Sequence, residues 1–176
     1  MEYQQIIDTC YCGDGAAKLK RAEQLAEAYG QTVLQQKNIL DQLQMVQDEV
    51  EALDAHMKAM NMGKTCSHCA ATPKGGCCSV YMGNENNDAL LLLMNILVGV
   101  EVGLVCDNGV ECCFLGEQGC ILLFKPIFCL NYLCGRIREE SKGEDIALLE
   151  QKGGALLTAQ SHLEQLLIRF LQIQSV

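Results

Sequence analysis

From Ala16 to about Met60 the chain has no proline and one glycine, Gly30, and its apolar residues recur at steps of three and four. They are Ala22, Ala26, Tyr29 and Val33, then Leu40, Leu43, Val46, Val50, Leu53, Met57 and Met60. That period belongs to a helix with one buried face, and its near-heptad form resembles a coiled-coil seam or a bundle helix. Two successive steps of three, Leu40 to Leu43 to Val46, predict a local shift of register. Unbroken, about 45 residues at 1.5 Å each would reach roughly 65 Å. Gly30 is the expected break.

The C-terminus repeats the pattern with Leu149, Leu156, Ala159, Leu163, Leu166, Phe170 and Ile173. Gly153 and Gly154 interrupt it and mark either a bend or a place where another backbone comes close. The expected fold is mainly α: long N- and C-terminal helices form an antiparallel pair or bundle around an inserted cysteine-rich region with a short hairpin. Its parts are a helical region over 1–60, a metal-binding region over 61–145 with a buried helix over 89–106, and a C-terminal helix over 146–176. Each stripe needs a cover, either within the chain or from a helical partner or second copy. The glutamines at 24, 31, 35, 36, 42, 44 and 47 read as the solvated helix face.

The middle of the chain is different. Residues 61–88 are rich in Gly, Asn, Cys and Pro and read as a loop that needs a cross-link. The "NND" at 86–88 is an N-cap for an apolar helix beginning at Ala89. That run, "ALLLLMNILVGV", is shorter than the roughly 20 residues a membrane span requires, so it predicts a buried helix. Further on, "CCFL-GEQG-CILLF" predicts a hairpin. With 5% aromatic residues and no Trp, the chain lacks large anchors for a wide β core.

Twelve of the 176 residues are cysteine, and five fall within 112–134, where only Glu117 and Lys125 carry charge. The start, "MEYQQIIDTC", has neither the basic nor the apolar segment of an export signal, which predicts a cytoplasmic protein. In a reducing compartment, spaced cysteines serve as metal ligands or redox groups more often than as cystines. The net charge of −9 argues against nucleic acid as a partner.

Two groups have ligand-like spacing. The first is Cys66, Cys69, Cys77 and Cys78 in "CSHCAATPKGGCC", and the second contains Cys112, Cys113, Cys120, Cys129 and Cys134. Thiolates are soft ligands, and four around one centre suit zinc or an iron–sulfur cluster. A C-x2-C pair directs two sulfurs at one ion. Geometry lets one member of each Cys-Cys pair, 77/78 and 112/113, serve a given centre. Cys10 and Cys12 stand apart as either metal ligands or surface thiols, and Cys106 as a core thiol. His68 reads as a turn residue, His56 and His162 as helix residues without chemistry, and Met57, Met60 and Met62 as packing.

The second group, with Cys112, Phe114, Leu115, Gly119, Cys120, Pro126, Cys129 and Cys134, resembles the YkgJ-like family of zinc- or iron-chelating cysteine-cluster domains. "GGCC" at 75–78 corresponds to that family's upstream Gly-x-Cys-Cys element, and the likeness covers about residues 66–136. Lys125 stands where the family commonly has Arg, and Leu130 follows Cys129 where Arg is usual. The resemblance implies metal ligation by Cys112, Cys120, Cys129 and Cys134, with Cys66, Cys69, Cys77 and Cys78 as the second set. The apolar setting of the sulfurs suits an iron–sulfur cluster, in particular [4Fe–4S], while the missing ferredoxin spacing keeps zinc open. The expected roles are electron transfer, sensing or structural support. The alternative is a helical adaptor in which the metal is only a staple. The chain has no phosphate loop, nucleotide fingerprint or Ser/His/Asp set, so an enzyme is the less favoured class.

Overall fold

The computed structural model describes residues 2–70, 77–85, 87–105, 109–131 and 133–174. The expected mainly helical architecture is present, with elements numbered here in chain order. Helix α1 (Tyr3–Tyr11) leads into α2 (Gly15–Val33), whose N-cap Asp14 accepts from the Ala17 N–H at 2.8 Å. A turn at Leu34–Gln36 separates α2 from α3 (Lys37–Ala59). The 65 Å rod is therefore absent, and the break lies beyond Gly30, which sits inside α2. There a Cβ would meet only the Leu97 side chain, at 3.7 Å.

The break also resets the register. On α3 the buried apolar residues are Ile39, Leu43, Val46, Val50 and Leu53, a regular four-three alternation. Leu40 is 43% exposed while Ile39 is 1% exposed, so the predicted shift of register does not occur. The C-terminal helix, α9 (Gly143–Ile173), runs unbroken through both glycines. Its buried seam is Leu149, Gly153, Leu156, Gln160, Leu163, Leu167 and Phe170, again stepping by four and three, whereas Ile173 is exposed.

Helices α3 and α9 pack along each other. Gln42 Nε2 donates to the Ala159 carbonyl at 3.0 Å, and the His56 ring lies 2.8 Å from the Asp145 carbonyl. Pairing 42 with 159 and 56 with 145 fixes the two helices as antiparallel. Gln42, expected on the solvated face, is buried by this contact. Both stripes are thus covered within the chain.

The second layer is built on α6 (Ala89–Leu97), capped by Asp88, which accepts from the Leu91 N–H at 2.7 Å. Every residue from Ala89 to Asn95 is buried, with α2 as its main neighbour. The expected helix over 89–106 is shorter in the structure. It stops at Leu97, and Gly99 adopts φ +83°, a conformation that a helix cannot carry. Cys106 lies outside the described residues. Helix α1 packs on α2 and α9, where the Tyr11 hydroxyl donates to the Glu164 carboxylate, and Tyr29 meets Phe170 edge-to-face with centroids 6.2 Å apart.

The remaining elements surround the cysteines. They are α4 (Met62–Ala70), α5 (Val80–Glu85), the antiparallel strands β1 (Leu115–Gly116) and β2 (Gly119–Cys120), α7 (Ile127–Asn131) and α8 (Gly135–Glu140). The hairpin is the expected one, pairing Leu115 with Cys120 and Gly116 with Gly119. The expected loop after Asn61 is instead helical as far as Ala70, so the C-x2-C pair occupies a helix face (i, i+3) rather than a tight turn. No helix among the described residues is long and apolar enough to cross a membrane.

Candidate metal centre

Two buried amides position the cysteine-rich segment. Asn95 interrupts the leucines of α6 and is fully buried. Its Oδ1 accepts from the N–H groups of Leu123 and Phe124 at 2.8 and 3.1 Å, and its Nδ2 donates to the carbonyls of Leu91 and Phe124 at 2.9 and 3.1 Å. Gln160 of α9 accepts from the Lys125 N–H at 3.0 Å and donates to the Lys125 carbonyl at 2.9 Å. Buried backbone groups without partners are costly, so these amides fix the path of residues 123–125 between α6 and α9. The path ends at Pro126, from which α7 departs.

Close backbone contacts set the remaining walls. Gly63 of α4 lies so near the hairpin that a Cβ there would stand 2.3 Å from the Gln118 carbonyl oxygen. At Gly153 a Cβ would stand 3.1 Å from the Leu130 carbonyl oxygen, so the bare backbone of α9 is what admits α7. The second of the two expectations for the C-terminal glycines holds: close approach, without a bend.

The result is one cavity of roughly 500 Å³ lined by Cys66, Cys77, Cys78, Cys112, Cys120, Cys129 and Cys134. A neighbouring niche of about 10 Å³ adds Cys69 beside Cys66, Cys77, Cys78 and Cys134. All eight residues singled out from the sequence therefore border two adjoining spaces. Their two groups are mixed there, with Cys134 among the first set. Among the described residues no three His, Cys, Asp or Glu side chains converge tightly enough to form a ready ion-binding group. The sulfurs share a cavity, not a point.

Of the 112/113 pair, Cys112 borders the cavity, while the Cys113 sulfur lies 3.3 Å from where a Gly15 Cβ would be. Both Cys77 and Cys78 border it. Cys10 is in the core and Cys12 is exposed, as is His68. Met57 and Met62 form part of the cavity wall.

The protonation of the sulfurs follows from their neighbours. The Cys78 thiol lies against the Cys66 and Cys77 sulfurs, which raises its own pKa, lowers that of Cys66 and brings Cys77 down to about 6. Cys112 is raised, first by its contact with Cys113 and then by burial. Burial raises Cys120 against the opposing pull of Lys125, and pushes Cys129 up to about 12. Cys120 and Cys129 both have exposed surface because they border the open cavity, although protein surrounds them on the other sides. A thiolate set in such a place requires a cation, and a metal that binds it must displace protons.

Lys125 is 6% exposed, with its Nζ 3.3 Å from Asp54 Oδ1 and 3.3 Å from the Leu123 carbonyl. Asn87 also lines the cavity; its Nδ2 donates to the Gly83 carbonyl at 2.7 Å, and its buried Oδ1 has no hydrogen-bond partner among the described residues. The positioning residues Asn95, Gln160 and Asp54 were not identified from the sequence. A polar residue inside an apolar run, as at Asn95, was the available signal.

The chain matches no family model, no curated protein and no solved structure.

Proposed function

We propose that this protein binds metal through thiolates: a cytoplasmic carrier of an iron–sulfur cluster or zinc held by Cys66, Cys69, Cys77, Cys78, Cys112, Cys120, Cys129 and Cys134. The observation that carries the reading is that cysteines from four separate segments, α4, residues 77–78, the hairpin region and α7–α8, line one cavity. A chain without a use for the sulfurs has no reason to gather them, because buried thiols serve equally well dispersed through a core.

The donor set fits the group. Soft sulfurs are abundant, and the walls between them, including Phe114, Leu122 and Phe128, are the apolar shell that favours an iron–sulfur cluster over a solvated zinc knuckle. When bound, a cluster would supply one-electron exchange, and zinc would supply a structural cross-link. The chain's own residues do the rest. Asn95 and Gln160 hold the segment between Cys120 and Cys129, Gly63 and Gly153 let α4 and α7 close on it, and Lys125 sets a buried positive charge beside Cys120.

A second reading, an adaptor with the metal as staple, draws support from a different surface than the stripes. Tyr81, Leu104, Val105 and Val110 are exposed beside one another, where Val80 N–H meets the Val110 carbonyl at 2.9 Å and Val105 N–H meets the Cys113 carbonyl at 2.7 Å.

The test is anaerobic purification followed by a visible spectrum and analysis for iron, zinc and acid-labile sulfide, beside a Cys120→Ser/Cys129→Ser variant. A broad visible band with stoichiometric sulfide, lost in the variant, supports the cluster. Stoichiometric zinc without colour supports the staple, and absence of any metal refutes both.

A further inference from the structure

A lone ion on the sulfurs would not fill the cavity. A single ion about 2.3 Å from its sulfurs occupies on the order of a tenth of 500 Å³, and the cavity's volume lies within the range of sites for small organic molecules. One part of its wall is apolar and adaptable, formed by Met57, Met62, Met82, Leu115 and Phe128.

Its cysteines aside, the charged side chains on the cavity are opposite in balance to the chain. The protein carries 22 acidic and 13 basic side chains, yet the ionic side chains on this cavity are Lys58, Lys64 and Lys125 against Asp54 alone among the described residues. Lys58 and Lys64 are exposed and stand at the mouth, while Lys125 is buried inside. On an acidic surface, a basic mouth over a low-dielectric space concentrates anions. Asn87 Oδ1 is a separate sign of a ligand: it is a buried acceptor on the same wall with no donor among the described residues, and it suits an N–H or O–H on the body of a ligand rather than its anionic group.

We propose that the cavity is a binding site for a small organic anion with an apolar body. The anion enters between Lys58 and Lys64 and rests its body on the methionine wall beside the thiolates. The site uses the mouth and the apolar wall, so it requires no metal on the sulfurs.

The probe is anilinonaphthalene sulfonate, an anion with an aromatic body and an N–H, compared with uncharged N-phenylnaphthylamine on the as-purified protein. Near-UV circular dichroism on the same samples checks that dye is read on packed protein. Saturable binding of the sulfonate is expected, tighter than the neutral dye by about tenfold or more. A Lys58→Glu/Lys64→Glu variant is expected to remove that preference while leaving the neutral dye unaffected, and the milder Lys58→Gln/Lys64→Gln variant to reduce it. Equal affinity for the two dyes, no saturable binding, or a preference that survives the charge reversal overturns the proposal. Metal content measured on the same preparations separates the readings. Metal without the dye site sinks this inference alone, and the dye site without metal sinks only the metal assignment.

Discussion

Gly63→Ala isolates the contact that sets α4 against the hairpin. The new Cβ would lie 2.3 Å from the Gln118 carbonyl oxygen and 3.2 Å from its carbon. A carbon normally stands about 3.3 Å or more from a carbonyl oxygen, so the two backbones must separate by roughly 1 Å. Neither partner is a side chain that can rotate away. Replacing Gly by Ala in a helix otherwise gains about 0.5–1 kcal/mol, whereas overpacking of this kind costs about 1–3 kcal/mol, and the contact is severe enough to place the cost at the upper end. The expected net loss is about 2 kcal/mol, read as a lower urea midpoint with an unchanged slope. Gly154→Ala is the control, because nothing lies within 4 Å of its Cβ and it should gain about 0.5–1 kcal/mol. The same 1 Å separates Cys66 on α4 from Cys120 on the hairpin. Ligand distances tolerate only about 0.2 Å, so metal per chain should fall as well. A Gly63→Ala protein as stable as its parent would refute the packing argument.

Other consequences can be measured directly. In metal-free protein, alkylation of Cys77 should rise through about pH 6 and lead at pH 7, since its thiolate persists down to there, while Cys129, held protonated up to about 12, should lag. Peptide mass mapping that finds Cys129 modified first would count against this. Asn95→Leu leaves two N–H groups and one carbonyl of residues 123–124 without their partner, a loss of about 3 kcal/mol or more in denaturant unfolding. Ile39→Ala should cost about 2–5 kcal/mol and Leu40→Ala less than about 0.5 kcal/mol, with thermal melts of the pair separating the two registers.

Much of this arrangement was legible in the sequence because the signals were local. The period of α9, the Asp88 cap and the two glycines of the hairpin each specify their element through nearby chemistry. The break after Val33 was not legible. Leu34, Gln35 and Gln36 are good helix formers, and the chain turns there because α2 packs on α6 while α3 packs on α9. Choosing Leu40 over Ile39 followed from assuming a continuous helix. The eight cysteines were selected by spacing, but their mixing around one cavity depends on Gly63, Gly153, Asn95 and Gln160. Those contacts join residues as far apart in sequence as Gly63 and Gln118, and periodicity does not reach that far.

Chain order gives the Gln160 clasp a consequence during synthesis. The last residue to line the cavity, Ile137, leaves the ribosome before Gln160 has followed. At about 5–20 residues per second, that interval is on the order of one to five seconds. During it the nascent chain presents its thiols without the helix that fixes the Lys125 segment. Oxidation and capture of the wrong ion then compete with completion of the fold, and the sulfurs acquire their final spacing only when α9 docks. On the proposed reading, α9, made after the cysteines, thus decides when they can act together as ligands.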